Sequence, residues 1–135
     1  GCRGVAGSTI ATEFGLSTDE YHANIHERTM VIVQIETAEG VNNIEEIVAV
    51  DGVDVVFVGP LDLSYNLGCP KNFEHPDFFA ALQKVLNACQ STGTAVGILS
   101  NEDNAKQRFE QGFTFLAVGS DAGAAKEGLQ RLLDA

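Results

Sequence analysis

Two carboxylates stand where an apolar run gives way to helix-forming sequence. In VIVQIETAEG, residues 31–40, a strand-like run carrying Gln34 stops on Glu36; in GPLDLS, residues 59–64, a Gly-Pro turn is followed by Asp62. If the two strands run the same way, both acids project into one mouth. A hard cation such as Mg²⁺ or Mn²⁺ is commonly held by one or two carboxylates, with water and substrate in its other octahedral positions. The tight turn at Gly59 and Pro60 also lets the amides of Leu61 and Asp62 point at an anion, as amides opening a helix do. A cation beside an anion cradle suits a 2-keto acid, chelated through its keto oxygen and one carboxylate oxygen. Capping is the competing account: Glu36 would complement the dipole of the next helix and Asp62 would be an N-cap. Residue pattern weighs the two accounts evenly for these acids, and for Asp121 it favours the cap.

Other reactive residues are weaker candidates. His22 and His26 are one helical turn apart with Asp19 on the same face, but Zn²⁺ needs further ligands and no His-Glu-x-x-His occurs, so an exposed helix face is favoured. His75, before Pro76, reads as a turn residue at least as well as a functional one. Arg3, between glycines, is an anion-binding candidate set against an ordinary surface ion pair. Cys2, Cys69 and Cys89 are odd in number and lack Cys-x-x-Cys spacing, which predicts reduced thiols in a cytoplasmic compartment.

The elements that must position these residues alternate. Four apolar runs, VIVQI, VDVVFVG, TAVGILS and FTFLAVGS, have the near-continuous hydrophobicity of strands covered on both faces. The segment STDEYHANIHERT predicts a leading helix with a Ser17-x-x-Glu20 capping box. Helices follow Glu36 (clearest at NNIEEIVAV), begin at Pro76 and end at Gly93, run through NEDNAKQRFEQG with acids in the first turn and Gly112 behind, and close the chain from Asp121. A helix and four βα units imply a parallel sheet, either a small open α/β domain or half of an eight-stranded barrel. In both, chemistry sits at the C-terminal strand ends. No linker or low-complexity tract divides residues 1–135.

Composition narrows the classes. The 135 residues, 44% hydrophobic, suffice for one ordinary core. Nineteen acidic against eight basic side chains give a formal charge of −11, which disfavours nucleic acid. No apolar run approaches the roughly 18 residues of a membrane span, and no signal-peptide pattern opens the chain. A flavodoxin-like phosphoacceptor or nucleotide-binding domain is disfavoured too, for there is no G-x-G-x-x-G, no G-x-x-x-x-G-K-[ST] and no lysine at a strand end.

The stretch VIVQIETAEGVNNIEEIVAVDGVDVVFVGPLDLSYNLG, residues 31–68, strongly resembles the HpcH/HpaI aldolases, metal-dependent pyruvate aldolases of the phosphoenolpyruvate/pyruvate barrel superfamily. The resemblance extends to GCRGVAGS at the front, to the HP opening the third helix, and to GIL and FLAVGSD in the later strands. Q-I-E-T followed by G-P-x-D-L-S, with the acids 26 positions apart, is its specific part. It implies that the chain is the C-terminal half, strands five to eight, of a TIM (β/α)₈ barrel. Glu36 and Asp62 would be the ligands of a divalent metal ion (Mg²⁺ or Mn²⁺); Gln34 and the amides of Leu61 and Asp62 would bind substrate. The reaction implied is cleavage of a 4-hydroxy-2-keto acid between C3 and C4 to pyruvate and an aldehyde, by way of a metal-stabilised pyruvate enolate. The family's arginine and proton-relay histidine belong to the first half of the barrel, so no catalytic residue is carried onto this chain and the chain by itself is expected to be inactive. The resemblance further implies a cytoplasmic homo-oligomer, a hexamer built from dimers exchanging a C-terminal helix. A noncatalytic half barrel serving as an assembly module is the alternative.

Overall fold

Each of the four apolar runs forms a strand. In the computed structural model, which describes residues 4–135, β1 is Ile32–Ile35, β2 Val55–Val58, β3 Ala95–Ser100 and β4 Phe115–Val118. They make one sheet in the order β1-β2-β3-β4, every pair parallel. Antiparallel neighbours can be joined by a tight turn, whereas parallel ones need a crossover, and here each crossover contains helix. The order never reverses, unlike a doubly wound sheet, where the reversal creates the ligand crevice.

The helices are α1 Thr18–Arg28, α2 Ala38–Asn42, α3 Ile44–Val48, α4 Pro60–Asn66, α5 Pro76–Thr92, α6 Ala105–Glu110 and α7 Asp121–Leu133. Among the described residues, none is long and apolar enough to cross a membrane. The chain forms two compact units, one running to Met30 and one spanning Val31–Ala135.

In the first unit, a 3₁₀ segment, Ile10–Gly15, precedes α1. Thr12 is fully buried and its hydroxyl donates to the Gly7 and Thr9 carbonyls, while Thr18 donates to Gly7 as well. The capping box expected at Ser17 does not form. Ser17 lies at φ −122°, ψ 27°, outside the extended conformation of a cap, and its side chain makes no capping bond.

In the second unit, alternation along the strands sorts side chains between two faces. Ile35, Val56, Val58, Val96 and Ile98 face the helices and join Val41, Ile44, Val48, Leu63, Phe78, Leu82, Val85 and Phe113 in one core. The other face carries Ile32, Gln34, Phe57, Gly97, Leu99 and Phe115. Ile32 and Leu99 are 42% and 48% exposed there. Val55, on the same face, is only 2% exposed, so among the described residues this face is covered in part, whereas the sequence reads as covered throughout.

The long helix matches expectation at both ends. Pro76 opens α5, and Gly93 closes it at φ +75°, a left-handed position suited to glycine. Two other helices differ. The segment after Glu36 is two short helices, broken at Asn43 (φ −95°, ψ 13°). In α6, Glu102 and Asp103 precede the helix because Asn101 and Asn104 exchange side-chain bonds with each other's amides, at 3.0 and 3.1 Å, and hold a turn there.

One rung of the sheet depends on a missing side chain. Gln34, Phe57, Gly97 and Phe115 are in register across all four strands, and the Phe57 and Phe115 rings meet edge to face at 6.1 Å between centroids. A Cβ on Gly97 would lie 2.7 Å from both Phe57 Cδ2 and the Phe115 carbonyl oxygen. The ring can turn, but the backbone oxygen belongs to the ladder and cannot. Gly97→Ala is therefore expected to lower stability by about 2–3 kcal/mol, as overpacking does, measured as a shift in urea midpoint; an unshifted midpoint would contradict this packing.

Candidate metal centre

β1 ends at Ile35 and the chain crosses Glu36 and Thr37 before α2; β2 ends at Val58 and crosses Gly59 before α4. The ladder continues one step past the strands, with the Gly59 amide donating to the Ile35 carbonyl at 3.2 Å. This pairing sets the two exits side by side. Glu36, Thr37, Asp62, Tyr65 and Asn66 line one open cavity of about 430 Å³. The two acids singled out in the sequence thus share a wall.

Neither acid is a helix cap. Thr37 is the N-cap of α2, its hydroxyl accepting the Gly40 amide at 3.0 Å. Gly59 is the N-cap of α4, with Pro60 in the first position and Asp62 in the first turn. Nor does Asp121 cap α7: Ser120 does, accepting the Gly123 amide, while Asp121 bonds the next amide, that of Ala122.

Glu36 is half-buried and held by two neighbours. Gln34, two residues back on the same strand face, donates from Nε2 to Glu36 Oε1 at 3.1 Å. Since an ionised carboxylate has about four acceptor sites, this one bond leaves acceptor capacity on both oxygens. The second neighbour is Gly59, where a Cβ would lie 2.5 Å from Glu36 Oε1 and 2.8 Å from its Cγ. Gly59 sits at φ −89°, which any residue adopts, so space rather than backbone freedom calls for glycine. The Glu36 side chain lies across the start of the β2-α4 turn because nothing projects from it.

The anion-cradle residues fall at the start of α4. The Leu63 amide bonds the Gly59 carbonyl, so Leu61 and Asp62 supply first-turn amides that lack an intrahelical acceptor. Leu61 is 45% exposed. Behind them, Ser64 is buried, donating to the Leu61 carbonyl at 2.7 Å and accepting the Lys71 amide at 3.0 Å. It ties this short helix to the loop that follows.

The donor set suits a hard cation: two carboxylates in one open cavity, a primary amide orienting one of them, and a glycine whose Cβ would fill the place the carboxylate occupies. No cluster of three or more His, Cys, Asp or Glu able to hold a metal occurs among the described residues. His22 and His26 lie exposed on α1, with the His22 ring tilted against Tyr21 and His26 Nε2 3.8 Å from Glu27. His75 is a turn residue, the N-cap of α5, accepting the Asp77 amide on Nδ1 at 3.2 Å.

The thiols sit apart from the cavity. Cys69 and Cys89 are free and buried, and burial pushes the Cys89 thiol up to about 11, the opposite of what an attacking thiolate needs. Cys2 and Arg3 lie outside the described residues. Sequence reasoning missed Thr37, Tyr65 and Asn66, and took Gly59 for a turn former. Only Thr37 had a local signal, a threonine directly before the helix.

The model of the HpcH/HpaI aldolase/citrate lyase family matches residues 1–127. The chain is 42% identical over 135 residues to the 5-keto-4-deoxy-D-glucarate aldolase of Shigella boydii serotype 18, covering 99% of this chain and 52% of that protein. A crystal structure of an HpcH/HpaI aldolase/citrate lyase family protein from Burkholderia cenocepacia J2315 superimposes with a TM-score of 0.90 at 38% identity, covering 99% of this chain and 52% of that one. The HpcH/HpaI aldolase of Desulfitobacterium hafniense DCB-2 gives 0.80 at 31%, with the same coverage. The chain spans about half the length of these relatives. With this parallel α/β fold and a family match over nearly its whole length, the chain belongs to the HpcH/HpaI aldolase/citrate lyase family.

Proposed function

We propose that this chain is the C-terminal half, strands five to eight, of a (β/α)₈ barrel aldolase that cleaves 4-hydroxy-2-keto acids to pyruvate and an aldehyde with a bound divalent cation. The observation that carries this reading is the convergence of Glu36 and Asp62, which follow consecutive parallel strands, on one cavity in a chain of an aldolase family. The half barrel is supported by the unreversed strand order, by helices packed on one sheet face, and by the length relative to the family. A 42% identical relative named for a keto-deoxy sugar acid supports the substrate class.

Glu36 and Asp62 would hold Mg²⁺ or Mn²⁺, with Gln34 fixing one oxygen of Glu36. A bound divalent cation supplies Lewis-acid stabilisation of the charge that develops on the keto oxygen as the C–C bond breaks. The amides of Leu61 and Asp62 would take the substrate carboxylate, and Gln34 would face the same end of the substrate. In the cleavage, the 4-hydroxyl loses its proton and the C3–C4 bond breaks. The electron pair stays with the three-carbon fragment, the aldehyde leaves, and a proton returns to C3 to complete pyruvate. No residue of this chain is assigned to move those protons; in this reading a histidine from the first half of the barrel relays them, and an arginine from the same half binds the keto oxygen. The same proposal places the protein in the cytoplasm as a homo-oligomer. That state is supported by α7, which has no buried residue and exposes Leu129, Leu132 and Leu133.

The test is pyruvate release from a 4-hydroxy-2-keto acid by the full-length protein. Exhaustive chelation is expected to lower the rate at least ~100-fold, in keeping with several kcal/mol of charge stabilisation, and added Mg²⁺ or Mn²⁺ to restore it. Full activity after metal removal would overturn the mechanism. Absence of pyruvate release under all conditions would leave the assembly-module alternative standing.

A further inference from the structure

Glu36 and Asp62 follow different strands, one in a loop and one in a helix, so their separation depends on how that loop is held against the helix. Strand pairing fixes this only as far as Gly59 and Ile35. Beyond that point a side chain takes over. Asn66, the last residue of α4 and one turn beyond Asp62, accepts the Ala38 amide on Oδ1 at 2.7 Å. Ala38 is the first residue of α2, two positions after Glu36.

The Ala38 amide is one of the donors at a helix start that have no partner within their own helix. Thr37 serves a different one, that of Gly40. Asn66 therefore closes a ring that runs from Glu36 through Thr37 and Ala38, across the hydrogen bond, back along α4 to Asp62, and home through Gly59. Both candidate ligands lie on it, and Asn66 itself lines their cavity.

We propose that Asn66 is a positioning residue that straps the Glu36 loop to the Asp62 helix and so sets the spacing of the two carboxylates for a divalent cation. This rests on the reading that Glu36 and Asp62 hold that cation. Near-octahedral Mg²⁺ and Mn²⁺ tolerate little error in ligand placement, and loss of an outer partner of a ligand typically weakens metal binding 10–100-fold. Asn66 does not touch the ion; it acts through the backbone of the loop carrying Glu36.

The experiment is an Mn²⁺ titration of the full-length protein, followed by the electron paramagnetic resonance of the free ion, with amide hydrogen exchange at Ala38. Asn66→Ala is expected to weaken Mn²⁺ binding about tenfold and to speed Ala38 exchange. Asn66→Asp, which keeps an acceptor oxygen in place but adds a charge to the cavity, is expected to restore slow Ala38 exchange. Asn66→Leu, similar in size but without an acceptor, is expected to behave like Asn66→Ala. Wild-type Mn²⁺ affinity in Asn66→Ala, in a protein where Glu36→Gln weakens binding, would overturn the strap and leave the ligand assignment intact. Unchanged affinity in Glu36→Gln would overturn the ligand assignment and the strap together. A weakened Asn66→Ala in which Ala38 exchange is unchanged would assign the loss to packing, and would also overturn the strap.

Discussion

Replacing Glu36 by Gln and Asp62 by Asn together is expected to abolish Mn²⁺ binding by the full-length protein and to lower pyruvate release ~1,000-fold or more, roughly 4 kcal/mol of activation barrier. The substitutions are nearly isosteric, so shape is kept while both negative charges are lost. At position 36 the amide can still bond Gln34, which keeps the loop in place and ties the loss to charge. Each single variant is expected to keep a measurable fraction of binding, because one carboxylate still serves a cation that relies mainly on water and substrate for its remaining positions. Gly59→Ala should follow the single variants, since its Cβ would occupy the place of the Glu36 carboxylate. Broadening of water resonances by Mn²⁺ that persists unchanged in the double variant would refute the assignment.

The second large effect concerns the open face of the sheet. Parallel sheets are found almost only with both faces covered, yet here Ile32 and Leu99 lie 42% and 48% exposed on the face away from the core. Both edge strands, β1 and β4, also offer unpaired backbone groups. The 135-residue chain produced by itself is expected to self-associate and to release no pyruvate. Sedimentation velocity should report a weight-average mass at least twice that of the chain, and Leu99→Lys should shift the distribution toward monomer. A monodisperse, active monomer at tens of micromolar would show that neither the face nor the rest of a barrel is needed.

The sequence was a good guide wherever a signal repeats or a residue has one conformational use. Four apolar runs became four parallel strands because buried strands leave little place for polar residues. Pro76 and Gly93 bounded α5 because one lacks an amide and the other accepts positive φ. Boundaries were lost where two local options compete. Asn101 and Asn104 satisfy each other and delay α6. Asn43 interrupts what reads as one helix after Glu36. Ser17 has the right spacing from Glu20 but not the backbone angle a cap requires.

For the site, the positions of Glu36 and Asp62 at strand ends were legible, as was the shared strand face of Gln34 and Glu36. Pattern did not separate capping from any other use of the acids; that required seeing Thr37 and Gly59 in the cap positions. Asn66 was invisible, for the amide it bonds lies 28 residues away in sequence and no local rule links the two. The spatial demand on Gly59 was hidden in the same way, because its conflict is with a side chain from another strand.

Gln34 and Ile35 are consecutive, yet one faces the carboxylates and the other is 2% exposed in the helix-covered core. The same parity separates Phe57 from Val58 and Leu99 from Ile98. Odd and even positions of each strand thus answer to different pressures, and the residues of the open face can change without redrawing the helical core that keeps the sheet folded. The unit of change is half a strand, every second residue.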